Sequence, residues 1–214
     1  MTQDLNKKLA KAKVALILEH PFVGTVALNM KMSISDTTPE GFPVPTACTN
    51  GKRVVYNPEF ISGLTDEEMK FLVAHECMHP MLEHNYRRLD RDPKKWNIAA
   101  DYVINELLVQ DGIGKMPVGI QDSDIYNDGG GTSDGIYNLL PDNPEDGPGD
   151  GQGPPRLDEC QDGEGTQQEQ DQEAAEWKVK VAQAAQAAKM MGKLSANMER
   201  LVDEVLNPKV DWRD

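Results

Sequence analysis

The stretch that decides the fold is TDEEMKFLVAHECMHPMLEH, residues 65–84. Thr65 and Glu68 have the spacing of a capping box, in which two side chains satisfy exposed backbone amides at a helix start. The acids after Thr65 also suit the positive end of a helix dipole. Pro80 cannot donate a helical hydrogen bond, so a kink or break is expected there, with a second helical piece reaching about Arg88. This stretch therefore predicts a capped helix with an apolar central turn.

The predicted helix carries the motif HExxH, with His75, Glu76 and His79. Two histidines four residues apart project from one helix face, where both imidazoles can bind one zinc ion at roughly 2.0–2.1 Å. Glu76 is rotated by about 100° from His75, which places it beside the metal rather than on it. There it can act as a general base towards a zinc-bound water. The motif thus predicts one zinc ion and a catalytic glutamate.

A catalytic zinc needs a third protein ligand, and two residues compete for this role. His84 lies about 180° from His75 on an ideal helix, so it reaches the metal only if the chain turns sharply at Pro80. Asp101 follows on the next predicted helix, among apolar residues where a solvated acid is not expected. With Asn105 it resembles the gluzincin arrangement, in which a second helix supplies a carboxylate ligand and a residue that orients a ligand histidine. Asp101 is favoured, and His84 stays the alternative.

Two segments together resemble a family of predicted bacterial and phage metallopeptidases: VAHECMHPMLEH (73–84) and WNIAADYVINELL (96–108). The pattern of that family is a helical HExxH with a later histidine, followed by W-N-x-A-A-D. Many members continue into a von Willebrand factor A-like domain, and VDWRD (210–214) is similar to the junction before it. The resemblance covers most of residues 1–120 and the 205–214 tail. It implies a zincin-like fold, zinc, hydrolysis of a peptide or protein substrate, and a von Willebrand factor A-like domain or an ATPase as a partner.

The segments before the motif predict a helix followed by a small sheet. Residues 4–19 have apolar positions at helical spacing, and Pro21 ends that helix. Residues 22–34 alternate apolar and polar side chains, which predicts a strand. Asn50-Gly51 predicts a hairpin over residues 46–57, whose strand would lie above the active-site helix and pair with an extended peptide. The expected fold class is α+β and zincin-like, with a small mixed or antiparallel sheet packed on the active-site helix and further helices.

The composition divides the chain into four parts. Residues 1–121 form the predicted zincin-like core, and residues 122–173 are acidic and rich in Gly and Pro, with too little apolar surface to offset ordering entropy. This second part is predicted to be a largely disordered loop, which the basic residues of 87–95 could bind. Residues 174–206 have apolar positions at helical spacing and predict a long helix that packs on the core. Residues 207–214 are interpreted as the start of a missing C-terminal domain.

The charge and the cysteines exclude several classes of protein. The net charge is −14, and 16 of the 36 acids lie in residues 122–176 beside a single base, which argues against a nucleic-acid binder. No run of 18 apolar residues or signal peptide is present, so neither membrane insertion nor secretion is expected. The three cysteines are scattered, which indicates a reducing cytoplasm. The rival to the peptidase is a non-catalytic, zinc-stabilised adaptor domain of a larger protein.

Overall fold

A computed structural model describes residues 2–142 and 159–207 of the chain. The strands are β1 (Lys31–Ile34), β2 (Ala47–Thr49), β3 (Arg53–Tyr56) and β4 (Glu159–Cys160). The helices are α1 (Thr2–Glu19), α2 (Pro21–Leu28), α3 (Pro58–Gly63), α4 (Asp66–Met81), α5 (His84–Arg87), α6 (Pro93–Gln110), α7 (Ser123–Asp128), α8 (Ser133–Leu139), α9 (Gln167–Met190) and α10 (Ala196–Leu206). The predicted α+β class is confirmed, with helices forming most of the core.

The sheet is small and mixed, with the strand order β1-β3-β2-β4. β2 and β3 form the predicted antiparallel hairpin, and its turn needs Gly51, whose φ of +87° is open to glycine but strained for other residues. β1 pairs parallel with β3. β4 pairs parallel with β2, with Cys48 opposite Glu159. The edge of β2 that was expected to receive a peptide is therefore covered by a two-residue strand of the acidic segment.

Residues 22–28 are helix α2, so the strand predicted over 22–34 is wrong in its first half and only β1 remains of it. Pro21 takes the first helical turn, where a missing N–H costs nothing. Helix α2 buries Phe22, Val23 and Val26 against the neighbouring helices. This tertiary packing overrides the β propensity of the run. Gly24 permits this packing, since a Cβ there would lie 2.5 Å from the backbone of Ile17 on α1.

Replacing Gly24 by alanine is therefore expected to force α1 and α2 apart. The expected loss in the free energy of unfolding is about 1–3 kcal/mol, as for other overpacked interiors. Gly63→Ala is the matched control, because a Cβ at Gly63 in α3 meets no atom within 4 Å. Urea unfolding followed by circular dichroism measures both variants. Equal midpoints for Gly24→Ala and the wild type would contradict the close helix contact.

Helix α4, which carries the HExxH motif, begins at the predicted capping box, in which Thr65 and Glu68 bond each other's backbone amides. Pro80 lies inside α4 and does not end it, because the amide of Leu82 still reaches the carbonyl of Met78 at 2.9 Å. The chain turns three residues after the proline, at Glu83, whose φ is +60°. The predicted second helical piece is α5, and the break that precedes it lies at residues 82–83 rather than at Pro80.

The second helix of the candidate centre, α6, begins at Pro93. Asp92 caps it by accepting a hydrogen bond from the amide of Lys95 at 2.8 Å, and Pro93 occupies the first turn. Residues 93–96 thus form the first turn of α6. This first turn brings Trp96 into the interior, where its ring is 2% exposed. α6 then packs along α4 and places Asp101 beside the HExxH motif.

The acidic segment 122–173 contains regular structure in its described parts, which corrects the prediction of a largely disordered loop there. Residues 123–139 form α7 and α8, and α9 already begins at Gln167. The predicted contact with the basic residues of 87–95 is present: Arg87 and Arg91 pair with Asp134, and Arg88 pairs with Asp162. Residues 143–158, the centre of the predicted loop, lie outside the described residues.

The predicted long helix over residues 174–206 is two helices, α9 and α10. Gly192, with a φ of +65°, ends the first, and Ser195 caps the second by accepting a hydrogen bond from the amide of Met198 at 3.1 Å. α9 packs on the core, with Trp177 donating to the carbonyl of Gly51 at 3.0 Å. The predicted domain junction at residues 208–214 lies outside the described residues. Among the helices of the described ranges, none is long and apolar enough to cross a membrane.

Candidate metal centre

The two histidines of the HExxH motif lie on one face of α4 and are completely buried. Their positions i and i+4 bring the rings one above the other, with the centroids 5.1 Å apart and the planes at 67°. His75 Nε2 and His79 Nε2 are 3.2 Å apart. The i, i+4 spacing thus brings both imidazoles to one point in the structure, as the sequence predicted.

Asp101 on α6 completes a cluster of three ligand atoms that lie within 4.8 Å of one another. Its Oδ1 is 3.5 Å from His75 Nε2 and 3.8 Å from His79 Nε2. Two ligands of a tetrahedral zinc ion at 2.0–2.1 Å are roughly 3.3–3.4 Å from each other by simple geometry. Ala99 and Ala100, both fully buried, allow the close approach of α6 that the short aspartate requires. The donor set and its spacing therefore fit a metal ion.

The charges of the cluster also fit a cation. Glu76 and Asp101 are both fully buried beside the two imidazoles. Carboxylates are rarely buried without a compensating positive charge, because transfer out of water strongly disfavours an isolated anion. A divalent cation among the three donors would balance these two acids in a small volume. The centre thus combines the ligand atoms and the excess of acidic charge that a metal site needs.

Asn105 fixes the orientation of His75. Its Oδ1 lies 2.9 Å from His75 Nδ1, and its Nδ2 donates to the carbonyl of Ile120 at 2.9 Å. Because the Ile120 carbonyl can only accept, the amide of Asn105 must present its oxygen to the histidine. His75 therefore carries its proton on Nδ1 and directs the lone pair of Nε2 towards His79 and Asp101. This is the orienting role that the sequence predicted for Asn105.

Glu76 and Cys77 lie on the flank of α4 that faces the sheet. Burial raises the pKa of the Cys77 thiol well above its ordinary value, and the charge of Glu76 adds to this rise. Burial likewise raises the pKa of Tyr56 on β3, with contributions from Cys77 and Glu76. A thiol with a raised pKa is a poor metal ligand, since only the thiolate coordinates. Cys77 is thus a core residue, and Glu76 is the ionisable group on this flank next to the histidines.

His84 returns to the centre, which the ideal-helix argument did not foresee. The turn at Glu83 brings His84 Nδ1 to 3.3 Å from His79 Nδ1, the nitrogen of His79 that faces away from Asp101. Its own Nε2 lies 2.8 Å from Ser133 Oγ on α8. Within the described residues, His84 is not in the cluster of candidate ligand atoms. Sequence reasoning missed Ser133 altogether, because it lies in a segment interpreted as loop.

A cavity of about 590 Å³ lies beyond His84, on the side away from the three candidate ligands. Its walls come from the α4–α5 turn, α5, α6, the α7–α8 connection, the start of α8 and α10. They include His84 and Ser133 but none of His75, Glu76, His79 or Asp101. His84 thus lines this cavity and also contacts the buried cluster through His79.

The comparison with protein families gives the chain an assignment. A family model described as a "putative metallopeptidase domain" matches residues 4–129 and 145–214. The chain belongs to this family. The matched ranges contain the HExxH motif, Asp101 and Asn105, and the gap between them contains Ser133. The resemblance seen in the sequence is thereby confirmed.

Other comparisons add little about function. An uncharacterized protein of Thermotoga maritima is 32% identical over 103 residues, which cover 47% of this chain and 25% of that protein. The match thus spans about a quarter of the length of the relative. No solved structure matches the chain. The family and the geometry of the centre are the two findings on which a function can be based.

Proposed function

We propose that this metallopeptidase domain is a zinc-dependent hydrolase of peptide bonds with a zincin-like fold, and that His75, His79 and Asp101 bind the ion. The observation that carries the proposal is the triangle of two imidazole nitrogens and a carboxylate oxygen, with sides of 3.2, 3.5 and 3.8 Å. These separations are close to those between the ligands of a tetrahedral zinc ion. Family membership supports a peptide or protein as the substrate.

The proposed roles divide between the ion and the side chains. A zinc ion held there supplies Lewis-acid chemistry, which acidifies water and polarises a peptide carbonyl. Glu76 receives the proton of the attacking water on its carboxylate and later delivers it to the leaving nitrogen. Asn105 keeps His75 in the tautomer whose Nε2 is free to bind. Glu76 is suited to its role because it follows the first ligand histidine on the same helix and is buried beside it.

A second function, a zinc-stabilised adaptor domain, is favoured by one observation. The three candidate ligands and Glu76 are all fully buried, and a structural zinc site is closed by protein, whereas a catalytic site keeps one position for water. Hydrolysis of a protein substrate would need local opening around the centre. A partner such as a von Willebrand factor A-like domain or an ATPase belongs to this proposal and rests on the family resemblance alone.

Metal analysis of the purified full chain tests the shared part of both functions. Mass spectrometry is expected to find about one zinc ion per chain, and a chelator should remove it. Cleavage of a labelled, unfolded protein should stop with the chelator and return with zinc. Bound iron in place of zinc would redirect the proposal, because two histidines and one carboxylate also form the facial site of iron enzymes. Zinc without cleavage would favour the adaptor.

Asp101→Ala is expected to weaken zinc binding by at least about tenfold to a hundredfold, since it removes a ligand rather than an orienting partner. Competition with a chromophoric chelator measures the affinity. Asp128→Ala is the matched control, because Asp128 is exposed at the end of α7 and away from the cluster. An unchanged affinity in the Asp101 variant would remove this residue from the ligand set.

A further inference from the structure

The two candidate ligand histidines have different partners on their outer nitrogens. His75 Nδ1 faces the amide oxygen of Asn105, whereas His79 Nδ1 faces a third imidazole, that of His84, at 3.3 Å. A histidine that binds a metal through Nε2 carries its proton on Nδ1 and donates it. His84 Nδ1 must therefore accept from His79. The contact is possible only for one of the two neutral tautomers of His84.

The far side of His84 completes the chain of hydrogen bonds. With Nδ1 accepting, His84 carries its proton on Nε2, which lies 2.8 Å from Ser133 Oγ. Ser133 accepts that proton through its hydroxyl oxygen. The N–H groups of His79 and His84 thus both point away from the candidate metal position. A serine is suited to the last place, because its hydroxyl can accept here and donate elsewhere.

Trp96 holds His84 in this position through two contacts. The indole Nε1 of Trp96 donates to the backbone carbonyl of His84 at 3.0 Å, and the two rings meet edge to face at 5.9 Å. His84 and Ser133 are 1% and 4% exposed, so water does not compete freely for their hydrogen bonds. Trp96 is itself fixed in the first turn of α6. The packed core therefore fixes the orientation of the His84 ring.

The position of Ser133 depends on the docking of α8, of which it is the first residue. Thr132 caps α8 by accepting a hydrogen bond from the amide of Gly135 at 3.1 Å. Asp134 pairs with Arg87 of α5 and with Arg91, which follows α5. Ser133 also lies between the two ranges matched by the family, 4–129 and 145–214. The last member of the hydrogen-bond chain is thus supplied by a segment outside the matched ranges.

We propose that His84 and Ser133 form a hydrogen-bond relay that fixes His79 in its metal-binding tautomer and couples the zinc affinity of the centre to the docking of α8. His84 is then a positioning residue and not a ligand. The proposal rests on the proposed function in one respect, since it requires His79 to bind the metal. It adds that the two ligand histidines are oriented by different means, one by an amide within α6 and the other by a contact to α8.

Zinc affinity of the full chain, measured by competition with a chromophoric chelator, tests the relay. His84→Ala is expected to weaken binding about tenfold to a hundredfold, as loss of an orienting partner does elsewhere. His84→Asn should restore most of the affinity, because its amide oxygen lies close to the position of the lost Nδ1. Ser133→Ala should cause a smaller loss in the same direction. Ser62→Ala is the matched control and should leave the affinity unchanged, because the Ser62 hydroxyl donates to the carbonyl of Glu59 in α3 and is no member of the relay.

Nitrogen NMR of the histidine rings in the zinc-loaded wild type gives a readout that needs no variant. His84 is expected to be protonated on Nε2 and unprotonated on Nδ1, and the opposite tautomer would overturn the relay. Wild-type protein that binds no zinc would overturn the proposed function itself. Zinc binding by the wild type with equal affinity in His84→Ala would overturn the relay alone. Equal losses in Ser62→Ala and Ser133→Ala would also overturn it, because the loss would then not depend on the hydrogen bond to His84.

Discussion

Replacing both His75 and His79 by alanine is expected to abolish stoichiometric zinc binding, because it removes two of the three candidate donors and leaves Asp101 alone. The wild type should carry about one zinc ion, and the double variant should carry none after dialysis. The loss should also appear in stability. A ligand present at a thousand times its dissociation constant stabilises the folded state by about 4.1 kcal/mol. Added zinc should therefore raise the melting temperature of the wild type and not that of the variant.

The chain offers a matched control for this experiment. His20 lies at the junction of α1 and α2, away from the candidate centre, so His20→Ala should keep both the zinc and the response of the melting temperature. His79→Asn is the companion variant if the double change unfolds the protein, since it keeps a polar side chain in the buried position. Circular dichroism verifies the fold of each variant. Equal zinc content in the wild type and in a folded double variant would rule out the proposed ligands.

Glu76→Gln is expected to retain zinc and to lose hydrolysis by about a hundredfold to ten thousandfold, the usual contribution of a general base. Glutamine has nearly the same shape as glutamate, so the fully buried position should still pack. Removing a negative charge next to the ion leaves the three donor atoms in place. Zinc content, circular dichroism and the rate of cleavage of a labelled protein are measured on the same samples.

Glu106→Gln is the matched control for Glu76→Gln. Glu106 is also a buried glutamate, but it accepts hydrogen bonds from Gln110, Gln121 and Ser123 on the other side of α6. Its variant should keep both zinc and hydrolysis. If Glu76→Gln cleaves as fast as the wild type, the peptidase proposal fails and the adaptor remains. Loss of activity in both variants would point to a general sensitivity of the buried acids instead.

The complete burial of the candidate centre has a consequence for either function. A metal ion bound in the buried candidate centre would stabilise the two elements that meet there, α4 and α6. A peptidase needs in addition a path for its substrate, and the outer edge of β2 is paired with β4. Displacement of β4 would expose this edge for pairing with an extended peptide. The acidic segment thus covers the place where the hairpin was expected to meet a substrate.

Local sequence determined those features that depend on a few neighbouring residues. The capping box at Thr65 and Glu68, the Asn50-Gly51 turn and the i, i+4 spacing of the two histidines each involve side chains within one turn of the chain, and the structure contains all three. The position of Asp101 could also be predicted, because an acid among apolar residues indicates a buried partner. Spacing along one helix is set by helix geometry and needs no knowledge of the rest of the fold.

The tertiary structure decided which distant residues meet. Residues 22–28 form a helix, in which Gly24 allows helix α1 to approach closely. The alternation of apolar and polar residues within the segment does not reveal this contact. His84 reaches His79 because the chain turns at Glu83 with a left-handed conformation, and Ser133 reaches His84 across 49 residues. Periodicity describes one face of one element, whereas these contacts depend on how several elements pack. The sequence by itself therefore determined the HExxH motif with its candidate ligands and its proposed general base, and the packing of α5, α6 and α8 decided what surrounds and orients them.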